Sequence, residues 1–104
     1  MTYYTEKELA TLQTQAIIIA DGLMSGIISA RATQRNAPVY TDREAFEIGL
    51  EIILDKTADI EVYTYLYSQA IIHARHWFPP ETVSMHKNRA WEAEVKLLEG
   101  IGYD

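Results

Sequence analysis

Residues 16–30 of this chain (AIIIADGLMSGIISA) are apolar or small around the whole helical circumference, and Asp21 is the single charge among them. A helix that is greasy on every side needs cover on every side. The pattern extends upstream to Thr5-Glu6-Lys7-Glu8, a capping box in which the Thr hydroxyl takes a backbone N–H and the Glu reaches back. No proline interrupts before Pro38, so helix one is predicted from Glu6 to about Thr33. At 1.5 Å per residue it would run roughly 40 Å. That is long for a chain of this size, whose radius of gyration as a compact domain would be about 13 Å. The helix must kink at Gly22 or Gly26, or project and pack on a second copy.

The rest of the pattern is also helical. Residues 34–40 read as a loop, and Thr41-Asp42-Arg43-Glu44 is a second capping box opening helix two. Its apolar positions, among them Phe46, Ile48, Leu50 and Ile52, leave one polar side. A break is expected at Lys56-Thr57-Ala58-Asp59, with Thr57 or Asp59 as the next N-cap. Residues 60–67 alternate like a strand, but a lone strand has no pairing partner and the run continues into helical spacing. We read it as helix three. Pro79-Pro80 stops it after Trp77-Phe78, and Trp77 and Trp91 are expected to anchor helix three to helix four. Helix four starts at Pro80 or Glu81 and should end in a Gly100–Ile101 cap. The fold class is therefore all-α: a single helical domain over 1–104, a bundle of three to four helices with a long first helix, completed by a second subunit.

Small residues recur along helix one at Gly22, Gly26 and Ala30. Each Gly costs a helix interior about 1 kcal/mol relative to Ala. Close approach of another helix backbone would compensate, which makes these three the candidate self-association seam. Asp21, lone in its apolar run, needs a partner, and Arg31, Arg43, Arg75, Lys87 and Arg89 are the candidates.

Charge narrows the function classes. The net charge is −6, so direct nucleic-acid binding, which needs clustered Lys and Arg, is not expected. Glu47, Glu51, Asp55 and Asp59 recur every fourth residue and would form an acidic ridge on helix two, suited to a basic protein partner. The chain has no cysteine, so thiol catalysis, disulfides and Cys-based zinc sites are excluded. His73 and His76 lie within one turn of each other and His86 lies past the Pro-Pro turn. Their spacing matches no standard zinc box, and no metal or other cofactor is expected. The polar, acidic start of the chain shows no secretory signal, and the 16–30 run is shorter than the roughly 20 residues a membrane span needs. A cytoplasmic protein without membrane contact is the expectation.

Phosphate loops, serine-nucleophile motifs and His-Glu-x-x-His are missing. Glu44-x-x-Glu47 supplies half of the acidic motif of the helical nucleotide pyrophosphatases, without a second half. Residues 38–44 (PVYTDRE) resemble the loop entering helix two of the all-helical chorismate mutases, over those seven residues. That resemblance implies an anionic substrate held by first-helix arginines. Glu6 to Ala30 carries Lys7 as its only cation, leaving Arg43 and Glu44 as the matching positions. The functional expectation is a small acidic interaction module, of the accessory or inhibitor type found in bacteria and phages. It would self-associate as a homodimer and dock on a larger partner, with no catalytic residues. The alternative is a small helical-bundle enzyme or ligand- or metal-binding protein using Arg43, Glu44, Arg75, His73 and His76.

Overall fold

The computed structural model describes residues 4–56 and 59–99, and among them every regular element is helical. The order is α1 (Glu6–Thr33), α2 (Asp42–Ile53), α3 (Ile60–His73), a 3₁₀ turn (Arg75–Trp77) and α4 (Pro80–Glu99). Helix one neither stops nor breaks at its glycines. It is one continuous helix of 28 residues, and the molecule is drawn out to 52 × 24 × 22 Å. The strand-like run 60–67 is helix, as its continuation into helical spacing requires.

Both capping boxes form. Glu8 N–H donates to Thr5 Oγ1 and Thr5 N–H donates to Glu8 Oε1, each at 3.1 Å. Thr41 and Glu44 repeat the exchange at the start of α2, again at 3.1 Å. The two helix starts thus satisfy donors that would otherwise lack partners. The α2 helix ends because Leu54 turns to extended backbone and sinks its side chain into the core, 7% exposed. Asp59 then caps α3, accepting from Glu61 N–H at 2.8 Å. The Gly100–Ile101 cap lies outside the described residues.

Two apolar clusters hold the helices. The larger joins Ala20 of α1, Phe46 and Leu50 of α2, Ala70 and Ile71 of α3, and Phe78 and Val83 beyond the turn. Phe46 is fully buried and meets Trp77 and Phe78 edge-on, at centroid distances of 6.0 and 5.8 Å. The smaller cluster joins Leu9, Tyr65, Ala93 and Leu97. There Tyr4 N–H donates to Leu97 O at 3.0 Å. On α4 the inward positions are Val83, His86, Ala90, Ala93 and Leu97, spaced three and four apart. Trp91 falls off that stripe and is 65% exposed, so it is not an anchor between α3 and α4. Trp77 is half-buried and braces Phe46 of α2 instead.

Where α1 passes α2 the helices come close. A Cβ on Gly49 would stand 2.5 Å from Leu23 Cδ2, so the absence of a side chain there admits the leucine. Beyond this crossing, Arg31 ties the connection down. Its guanidinium donates to Asp42 Oδ1 at 3.0 Å, to Tyr40 O at 2.6 Å and to Gln34 Oε1 at 3.2 Å.

Candidate functional site

Burial on α1 is one-sided. Leu9, Ala16 and Ala20 are buried, whereas Ile18 is 65% and Ile28 59% exposed. The cover that a wholly apolar helix requires is therefore not supplied by the described part of the chain. The candidate seam lies on the open side: Gly22, Gly26 and Ala30 are all exposed, as are Ser25 and Ser29. Nothing stands within 4 Å of where a Cβ on Gly22 or Gly26 would be. The helix is also long and apolar enough to cross a membrane by length and composition, which the 16–30 run by itself is not.

Asp21 sits beside this open side, 61% exposed, and its partner is none of the five cations considered from sequence. His73 of α3 takes it, with Nε2 to Oδ1 at 2.7 Å. Arg31 is occupied with Asp42 and the loop, and Arg43 with Glu47 at 3.1 Å. His73 is thereby turned toward α1, while His76 stacks edge-on against Trp77. Among the described residues no group of three or more His, Cys, Asp or Glu side chains is placed to share a metal ion.

The acidic ridge is not one helix face. With α2 ending at Ile53, Glu47 and Glu51 stay on it, Asp55 falls in the connection and Asp59 becomes the α3 N-cap. Glu44, one of the two positions of the chorismate-mutase resemblance, is committed to its own helix start. Hydrogen bonding to the Thr41 backbone and hydroxyl holds its carboxyl below the ordinary range, with Arg43 adding to the effect.

The structure brings Arg43, a candidate site residue, and Glu47 and Glu51 of the acidic series together with residues of α3 and α4 that no sequence motif joined to them. Between α2 and α4, over the outer side of α3, lies a partly open cleft of about 440 Å³. Arg43, Glu47 and Glu51 form the α2 wall, Tyr63, Tyr67 and Ser68 the floor, and Met85, His86 and Arg89 the α4 wall. Ser68 and His86 are buried and bonded to each other, Oγ to Nδ1 at 3.0 Å. Burial holds the His86 ring below its ordinary value of 6.5, Arg89 pushes it further down, and Glu47 opposes. Tyr67 lies against the His86 ring at 5.7 Å and against Tyr63 at 5.8 Å. Its hydroxyl is pushed up to about 12 by burial, then by Glu47, Glu51 and Tyr63, with Arg89 drawing it back. Of the residues proposed for a site between helices, only Arg43 lines this cleft; Glu44, Arg75, His73 and His76 do not. The inward stripe on α4 was the available signal for His86, which occupies a position where the period demands burial.

No protein-family model, curated protein or solved structure matches this chain.

Proposed function

We propose that the protein is a self-associating helical interaction module whose first contact is with a second copy of itself along α1. The observation that carries this reading is the open stripe of Gly22, Ser25, Gly26, Ser29 and Ala30, flanked by exposed Ile18 and Ile28. Apolar side chains of this kind gain roughly 1.5–3 kcal/mol each when fully covered. A small-residue stripe beside them lets a second helix backbone come close. Asp21, exposed beside the stripe, favours a protein neighbour over lipid, since a carboxylate at the bilayer centre costs about 2.5–3.5 kcal/mol.

The second part of the reading is a basic protein partner met by Glu47 and Glu51 on α2 and by Asp55 and Asp59 beyond it. Its support is the net charge of −6 and the exposure of Glu51 and Asp55. In this reading the protein is not an enzyme.

Light scattering in line with size exclusion, over a dilution series, tests the self-association. The wild type is expected to be dimeric at micromolar concentration. Gly22→Leu with Gly26→Leu should be monomeric, since leucine suits a helix but blocks a close seam. A wild type that stays monomeric up to millimolar concentration overturns the proposal. For the partner, reversing Glu47, Glu51 and Asp55 to lysine should abolish binding of a polylysine probe; unchanged binding rejects the acidic surface.

A further inference from the structure

We infer that the cleft between α2, α3 and α4 binds a small zwitterion: an organic molecule with an ammonium group at one end of a short apolar chain and a carboxylate at the other. The lining of the cleft points to that chemistry.

The cleft is bipolar. Its α2 wall carries Glu47 and Glu51 and its α4 wall carries Arg89. Arg43 is turned along α2 onto Glu47 at 3.1 Å, which leaves Glu51 as the acidic group without an ion pair on that side. Among the described residues Arg89 makes no ion pair within 4.0 Å either. Opposite charges thus share one cavity without closing on each other, and a ligand that bridges them supplies what each lacks. The local fields agree. Beyond the effect of burial, the Tyr67 hydroxyl responds to Glu47 and Glu51 more than to Arg89, whereas the His86 ring responds to Arg89 more than to Glu47. Both carboxylates stand on the α2 wall and Arg89 stands on the α4 wall.

The middle is apolar and aromatic. Tyr63 and Tyr67 present a tilted pair of rings, and Phe78 and Met85 lie beside them. Such a floor suits methylene groups, and aromatic faces beside carboxylates also favour an ammonium. Below it, the buried Ser68–His86 pair fixes the imidazole by its Nδ1. His86, held in that orientation, is one of the residues lining the cleft. It can meet a carboxylate seated at Arg89. The volume of about 440 Å³ lies within the range of small-molecule sites.

A purely anionic ligand would face Glu47 and Glu51, and a purely cationic one Arg89. Neither uses both walls. No residue of α1 lines the cleft, so this inference stands or falls separately from self-association through that helix.

The test uses ε-aminocaproate as probe, with hexylamine and hexanoate as its single-charge analogues. Binding is followed by calorimetry and by the imidazole resonances of His86 at neutral pH. The zwitterion is expected to bind about tenfold more tightly than either analogue, the difference that one charged hydrogen bond makes. Arg89→Gln should reduce it to the affinity of hexylamine, and Glu51→Gln to that of hexanoate. Both substitutions are on the surface, and circular dichroism checks that the helices persist. Equal binding of all three probes, no perturbation of His86 at tens of millimolar probe, or variants that bind like the wild type would each overturn the inference.

Discussion

Replacing Gly22 and Gly26 together by alanine separates the single chain's own stability from its association. Neither position meets another atom within 4 Å of the added Cβ, so the substitution costs no clash. Each swap in a helix interior gains about 0.8–1 kcal/mol. Part of that gain comes from the unfolded chain, which loses freedom when glycine is replaced. The pair should therefore stabilise the isolated chain by about 1.6–2 kcal/mol. In a domain of this length each kcal/mol moves Tm by about 4–8 °C, so the rise should be roughly 6–16 °C. Gly49 is the internal control. There an added Cβ must displace the Leu23 methyl at 2.5 Å, and the same change to alanine should gain less or lose stability. Thermal melts at concentrations below the dimerisation midpoint measure the chain alone, and sedimentation equilibrium measures the association. On the proposed seam the double variant melts higher yet associates more weakly, because the methyls hold the second backbone away. A double variant that melts lower when dilute would refute the open placement of both glycines. One that melts higher and associates unchanged would refute the seam.

Three further outcomes follow from the geometry. His86 is held below 6.5 in the folded chain, so the unfolded chain takes up that proton first as the medium is acidified. Its contribution to stability is complete above pH 6.5 and is lost as pH falls from there through the lowered folded value; urea midpoints should decline over that window, and His86→Gln should flatten the decline. Tyr67, at about 12, should ionise later than ordinary tyrosines in an absorbance titration; Glu47→Gln and Glu51→Gln should each lower its midpoint, because a nearby negative charge is removed, and an unchanged midpoint would contradict the placement of the carboxylates. Arg31→Ala removes three hydrogen bonds that anchor the α1–α2 connection, two of them to exposed partners; it should cost about 1 kcal/mol and speed amide exchange across residues 34–41 without changing exchange in α3.

What was legible in the chain was local. The Thr5–Glu8 and Thr41–Glu44 boxes lie within one helical turn, so side chain and backbone find each other whatever the rest of the molecule does. The same holds for the proline start of α4 and for Asp59 as the α3 cap. The end of α2 was harder, because neither Gly nor Pro marks it; it is set by burial of Leu54, a tertiary event. That is why the four acidic residues looked like one ridge. Asp21 and His73 are 52 residues apart, and no period or motif links them. Trp91 is large and aromatic but out of phase with the inward stripe of α4, whereas His86, legible only as one of three histidines, is in phase with it. The cleft draws on three helices and the turn; its members keep three- and four-residue steps within each helix, but no spacing links one helix to the next.

The bond from Tyr4 N–H to Leu97 O brings the first and last turns of the bundle side by side. The path is nearly a closed ring, and the order in which the helices are written along it is not dictated by their packing. A short bridge at that junction and new termini at exposed Asn36 or Val39 would rewrite α1 as the final element while every interhelical neighbour stays the same. The long greasy rod would then follow, in chain order, the helices it leans on.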